Sequence, residues 1–207
     1  DQVMQFFSST FGILGDIYIL IFLSAFFMAT PGTYVSGIIL LFPKPRRDRA
    51  REVFAKLTVT LKRWLFGQLI SMVFVGVTTS IGLWLLGIPL ALTLGLIAAL
   101  FAFIPNFGPL LALIPAVLIG WLQSPMDALY VVILYTGIQA VESNLFMPFV
   151  QKKMIALPMA LILISQVLLG ILSGGLALVL AVPIMAIFIV LVKELYIKDV
   201  LNDHSIS

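Results

Sequence analysis

Glu142 is the one charged side chain in the apolar run Ala128–Val150. Tyr135, Gln139 and Glu142 stand at offsets 0, 4 and 7, so a helix carries them as a polar stripe on an otherwise apolar surface. Ser143 and Asn144 add hydrogen-bonding groups beside them. A carboxylate at the centre of a membrane helix costs roughly 2.5 kcal/mol or more, and such groups face a bundle interior or water. Two uses fit. One is a protonation or cation site that changes charge during a cycle. The other is structural: a hydrogen bond between helices or subunits, or a carboxylate reaching the interface seven residues before Phe149.

The second constellation is Pro105-Asn106-Phe107-Gly108-Pro109. Each proline lacks an N–H, so the carbonyls four residues earlier, on Phe101 and Pro105, lose their helical donors. Irregular backbone at membrane depth is tolerated only inside protein or beside a water-filled cavity. The freed carbonyls and the Asn106 side chain are candidate ligands for a cation or a polyol. An ordinary turn between two short spans is the alternative. Gln166, a neutral polar side chain amid Leu and Ile, reads as a hydrogen bond between helices or as a substrate ligand. Asp127 and Asp16 stand where helices begin and read as caps.

Enzymatic chemistry has little to work with. There is no His-Glu-x-x-His, no phosphate-binding Gly-x-x-x-x-Gly-Lys-[Ser/Thr] loop and no cysteine, and the one histidine, His204, lies in the polar tail. No enzyme activity, metal site or cofactor is expected.

The elements that must position these groups follow from composition. Of 207 residues, 62% are hydrophobic and 10% charged, with a mean hydropathy of +1.19. A soluble domain is about 45–50% apolar and about 25% charged, so a soluble globule, a disordered chain and a low-complexity protein are excluded. The expected fold is all-α: a single polytopic transmembrane domain over 1–207 with about five to seven membrane-embedded segments. Apolar stretches run over Ile17–Phe42, Leu65–Leu86, Leu90–Leu122, Ala128–Val150 and Ile155–Val192, the third broken at Pro105–Pro109 and the last at Ser173-Gly174-Gly175. Leu90–Ile104, at about 22 Å, is short of a hydrocarbon core of about 30 Å. The pairs within 90–122 and 155–192 are therefore either re-entrant hairpins or full spans.

Eight of the twelve Lys and Arg residues fall between Lys44 and Arg63. In a membrane chain this clustering signals orientation and contact with anionic lipid, not nucleic acid. It assigns Lys44–Arg63, Lys152-Lys153 and the C-terminus to the cytoplasmic side, and the uncharged turn at Gly87-Ile88-Pro89 to the outside. Within the cluster, Ala50, Val53, Phe54, Leu57, Leu61 and Trp64 share one face of a helix over Asp48–Arg63, with Asp48 as its N-cap. Arg46, Arg47, Arg49, Arg51, Lys56, Lys62 and Arg63 are expected to face lipid phosphates from an interfacial amphipathic helix. Trp84, Trp121 and Tyr196 fall where aromatic belt residues stand. The opening Asp1-Gln2-Val3-Met4 has neither a basic n-region nor an initiator methionine and reads as the interior of a longer protein.

Several motifs are familiar in combination. Pro31-Gly32-x-Tyr34, Leu41-Phe42-Pro43 followed by Arg46-Arg47, and Gly67-Gln68 resemble the first half of the autoinducer-2 exporter-like transporter family. Gly87-Ile88-Pro89, Phe103-Ile104-Pro105-x-x-Gly108-Pro109, Gln139-x-x-Glu142-x-Asn144-x-x-x-Pro148, Leu157-Pro158 and Gly174–Pro183 match the remainder in order. The likeness runs from Phe22 to Val192, and family members carry further N-terminal membrane helices. The chain departs after Pro148, where Phe149-Val150-Gln151-Lys152-Lys153 replaces a commoner Gly-Arg ending.

The resemblance implies a multi-pass permease of the bacterial or archaeal plasma membrane. It implies export of autoinducer-2, the quorum-sensing signal, or sodium(lithium)/proton antiport, and a homo-oligomer with a pentamer as the candidate assembly. Glu142, Asn144, Pro105, Asn106, Gly108 and Pro109 are the matching positions, and Gln139 and Gln166 join them as transport or coupling candidates. The expected partners are membrane lipids and a small polar solute, monovalent cation or proton. A non-transporting scaffold that recruits partners through Arg46–Arg63, and a channel-like pore, are the rival readings.

Overall fold

The structure is a computed structural model that describes residues 24, 27, 29–147 and 159–202. Asp16, Pro148, Lys152-Lys153, Leu157-Pro158 and His204 lie outside the described residues. The chain forms two compact units, Asp1–Ala55 and Lys56–Ser207. Every element among the described residues is helical, so the fold is all-α.

In the first unit, α1 covers Pro31–Leu40, with Pro31 at the first helical position, where its missing N–H would be unpaired in any case. The run Ile17–Phe42 is thus interrupted at Thr30, the N-cap. The C-terminal end of α1 is closed by Arg47, whose guanidinium donates to the carbonyls of Leu40 and Phe42, both at 3.1 Å. These are among the carbonyls that a helix end leaves without partners. Arg47 therefore caps backbone from the surface.

A 3-10 turn, Lys44–Arg46, leads into α2, Arg47–Leu85. At 39 residues, α2 is about 58 Å long. The amphipathic stretch Asp48–Arg63 is helical, but it runs without a break into the apolar span Leu65–Leu85. Nothing between Arg63 and Leu65 stops a helix, and adding residues to an existing helix is far easier than starting one. Asp48 is accordingly not a cap: it lies in the first turn and pairs with Arg51 at 2.8 Å. Gln68, Ser71, Val75, Thr79 and Leu83 are buried along α2, at the three- and four-residue steps of a single helical face.

Beyond Leu85 the chain turns at Gly87 (φ +72°), where the left-handed backbone suits a residue without Cβ. The Ile88 N–H reaches back to the Leu83 carbonyl and closes α2. Two short helices follow, α3 (Ala91–Phe101) and α4 (Phe107–Gln123), separated by the expected break. At about 16 and 25 Å both are shorter than a typical hydrocarbon core.

The next helix, α5 (Pro125–Val141), continues through a π-helical turn, Glu142–Phe146. Its cap is Ser124, whose Oγ accepts from the Asp127 N–H at 3.1 Å and donates to Asp127 Oδ2 at 2.9 Å. Asp127 is the third residue of the helix, so it answers the cap instead of forming it, which corrects the sequence expectation. Finally α6 (Met159–Ser173) and α7 (Gly175–Leu191) pack together across Gly174, and π-helical Val192–Lys198 extends α7.

Three described segments are long and apolar enough to cross a membrane: Lys44–Leu85, Pro125–Phe146 and Leu178–Lys198. Three shorter apolar helices accompany them. The outward-facing side chains include Val73, Leu92, Leu118, Ile133 and Leu168, all exposed. The buried positions between helices include many small residues, Ala98, Ala102, Ala112 and Ala116, beside larger ones such as Leu83, Leu94 and Val131. This inversion of a soluble protein fits a chain whose surroundings are as apolar as its core, where close backbone approach holds helices together. The chain is a multi-pass membrane protein.

Candidate functional site: a buried carboxylate beside a broken helix

Glu142 is 6% exposed. The Ser71 hydroxyl on α2 donates to its Oε1, and Gln139 stands about one turn earlier on the same face of α5. The stripe of Tyr135, Gln139 and Glu142 therefore faces protein: Tyr135 is also buried and Gln139 half-buried. The π turn begins at Glu142. Such turns widen the helix and disturb its carbonyl ladder. Ser143 and Asn144 bond that ladder, the first donating to the Gln139 carbonyl at 2.7 Å and the second to the Ala140 carbonyl at 2.9 Å. Asn144 is exposed and is not brought to the carboxylate. Phe146 stacks on Phe74 of α2, with ring centroids 4.3 Å apart, and fixes the widened turn against its neighbour.

The break between α3 and α4 departs from the sequence expectation in one respect. Its carbonyls are not free. The Phe101 carbonyl accepts from the Ile104 N–H at 2.9 Å, and the Pro105 carbonyl accepts from the Phe107 N–H at 2.9 Å. Gln166 Nε2 on α6 donates to the same Pro105 carbonyl at 2.8 Å, while Asn106 Nδ2 donates to Gln166 Oε1 at 3.3 Å. Gln68 Nε2 on α2 donates to the Ala102 carbonyl at 2.6 Å. Two buried glutamines thus supply donors to backbone carbonyls at the break, Gln166 to Pro105 and Gln68 to Ala102, as backbone in an apolar setting requires. A cation ligated by those carbonyls would have to displace these donors.

Gly108 is needed for the same closure. A Cβ there would lie 1.8 Å from the Phe101 carbonyl oxygen, so α4 can start against the end of α3 only with glycine. Asn106, at φ +68°, takes the left-handed turn that precedes it. Half-buried Pro109 follows within the first turn of α4. Trp64 on α2 packs edge-on to Phe103, with centroids 5.8 Å apart.

α2 is the ruler on which these parts are placed. Gln68 holds the break and Ser71 holds Glu142, three residues and about 4.5 Å of helix rise apart. Glu142, Gln139, Pro105, Asn106, Gly108 and Gln166 are thereby gathered around one end of the membrane-length part of α2. Sequence reasoning missed Ser71, Gln68 as a ligand of the break, and Thr79. Their signal was present: polar residues at positions 68, 71 and 79 fall in register with apolar Val75 and Leu83 on one face.

The basic residues divide. Arg49 pairs with Glu52 at 2.8 Å and Arg51 with Asp48, all on the surface, while Arg46, Lys62 and Arg63 are exposed. Lys56 is engaged elsewhere, 2.6 Å from Glu194, a buried acid on the extension of α7. The Lys56 side chain keeps 46% of its surface exposed while making this pair. Among the described residues no group of three His, Cys, Asp or Glu could hold a metal ion.

The sequence profile described as AI-2E family transporter matches residues 1–197. The chain belongs to that family. Among curated AI-2E relatives, "Putative transport protein YueF" of Bacillus subtilis (strain 168) is 32% identical over 184 residues, covering 87% of this chain and 50% of that protein. "Putative transport protein YrrI" of the same organism is 33% identical over 147 residues, covering 71% of this chain and 42% of its own. A "Putative transport protein" of Thermotoga maritima is 25% identical over 187 residues, covering 89% and 56%. This AI-2E chain spans about half the length of the curated relatives it matches. No solved structure matches it.

Proposed function

We propose that this chain forms the transport core of a membrane permease that moves a small polar solute or monovalent cation, with Glu142 as the group that carries charge through the cycle. The observation that supports this reading is a carboxyl buried between α2 and α5 to which, among the described residues, the neutral Ser71 hydroxyl donates. A purely structural role would be served as well by an amide, which avoids the penalty of a buried charge. A carboxyl that alternates between protonated and ionised forms uses that penalty to couple proton and solute movement.

The solute we favour is autoinducer-2 or a chemically similar polar molecule, with sodium/proton exchange as the cation version of the same cycle. The Lys44–Arg63 segment and the C-terminal end of α7 face the cytoplasm in this reading, by the distribution of basic residues. The large exposed apolar surface suits lipid and a homo-oligomer alike.

The test is flux in proteoliposomes holding the full-length protein, wild type and Glu142→Gln, with a pH dye inside and sodium, lithium or autoinducer-2 added in turn. A solute-dependent pH change in wild type that is lost in the variant is the expected result. An unchanged pH signal in E142Q would remove Glu142 from the coupling step. Solute leak without any pH change would favour a channel-like pore.

A further inference from the structure

Among the described residues, two buried hydroxyls on the facing helices α2 and α5 have no hydrogen-bond partner: Thr79 Oγ1 and Tyr135 Oη. Thr79 is 1% exposed and Tyr135 8%. Buried polar atoms of this kind are rare, because leaving one unpaired sacrifices the hydrogen bonds it makes in water. A threonine in a helix ordinarily finds relief on its own backbone, as Thr78 does with the Phe74 carbonyl at 2.7 Å and Thr136 with the Val132 carbonyl at 2.8 Å. Thr79 makes no such bond.

The two hydroxyls also belong to one level. Ser71 meets Glu142, and the Cβ position of Gly82 meets Leu134, so α2 and α5 run antiparallel with that register. On that register Thr79 falls level with Tyr135. Both lie on the faces that carry the candidate site, Thr79 on the stripe of Gln68 and Ser71, and Tyr135 on the stripe of Gln139 and Glu142. Eight residues separate Ser71 from Thr79, about 12 Å along α2 towards the Gly87 turn.

We propose that Thr79 and Tyr135 form a second polar station in the α2–α5 interface, which binds a hydroxyl oxygen, either that of a polyhydroxylated solute or that of water. Hydroxyls both donate and accept, so the pair suits a neutral oxygen that does the same and offers no charge to hold an ion. A carboxyl two turns away and a hydroxyl pair at this level give a solute or a proton two successive stopping points along one helix face. The station deepens the transport reading and rests on it for the identity of the solute.

The experiment uses purified full-length protein in detergent, wild type, Thr79→Val and Tyr135→Phe, each variant removing one hydroxyl and little else. Melting is followed with and without autoinducer-2. If the ligand is the solute, autoinducer-2 raises the wild-type Tm and both substitutions abolish that rise. If it is bound water, autoinducer-2 has no differential effect and both variants melt below wild type by about 2–4 °C. Variants that melt at or above wild type, with any response to autoinducer-2 intact, overturn the proposal, since removing truly unpaired hydroxyls is neutral or stabilising. The melting result is independent of the E142Q flux result, so the station and the coupling role of Glu142 fail separately.

Discussion

Lys56 Nζ lies 2.6 Å from Glu194 Oε2, joining residues 138 positions apart in sequence. Lys198 Nζ contacts the other carboxylate oxygen at 2.8 Å. Glu194 is 5% exposed, so the pair ties the extension of α7 to α2 through a charge that has little access to water. Removing Lys56 leaves that carboxylate with less compensation. Lys56→Met should lower stability by about 1–3 kcal/mol, part of the cost of breaking a buried pair because Lys198 remains. A double-mutant cycle with Glu194→Gln, read by thermal melting, should show that the two losses are not additive.

Gln166 is the hinge pin of the α3–α4 break. Gln166→Leu removes the donor to the Pro105 carbonyl and the acceptor for Asn106 while keeping the volume similar. It should destabilise by about 1–3 kcal/mol, the cost of a buried polar group left without its bond. Combining it with Asn106→Ala should cost little more, and a fully additive double variant would show that the two side chains act independently.

Glycine substitutions sort by geometry. Gly108→Ala sets a Cβ 1.8 Å from a backbone oxygen and should fail to fold or lose several kcal/mol, in the range of severe overpacking. Gly95→Ala meets Ser80 Oγ at 1.8 Å and the Gly76 carbonyl at 2.8 Å, so Ser80→Gly should rescue it only in part. Gly137, in the middle of α5, has nothing within 4 Å of its Cβ position. Gly137→Ala should stabilise by up to about 1 kcal/mol through backbone entropy. The three melting temperatures should rise in that order.

Ser71 is the nearest donor to the Glu142 carboxyl from another helix. Ser71→Ala keeps Glu142 and Gln139 but removes that bond, so coupled flux should drop several-fold without being abolished. A complete loss equal to that of Glu142→Gln would mean that Ser71 takes part in the exchange itself.

Much of this arrangement is visible in the order of residue types. The break at Pro105–Pro109 is written in two prolines and a glycine, and the turn at Gly87 and the break at Gly174 are written in residues without Cβ. The face shared by Tyr135, Gln139 and Glu142 follows from helical spacing alone. Local rules also misled: Asp127 looked like a cap because it precedes an apolar run, whereas Ser124, three residues earlier, has the shorter side chain that reaches the free N–H. Asp48 misled in the same way, since an acid near a helix start suits both the cap and the first turn.

Sequence by itself determined the class of molecule, because composition alone leaves a 62% hydrophobic chain no aqueous surface to build. It also marked the breaks at Gly87, Pro105–Pro109 and Gly174, since those depend on residues a few positions apart. Only the tertiary structure decided what each polar group meets. Ser71 meets Glu142, Gln68 and Gln166 donate to carbonyls of the break, and Lys56 pairs with Glu194. Helical periodicity specifies a face but not the neighbour against it. In a chain whose faces are nearly all apolar, that choice is made by close-packing small residues such as Gly76, Gly82 and Gly95, whose neighbours Ala99, Leu134 and Ser80 stand many positions away in sequence.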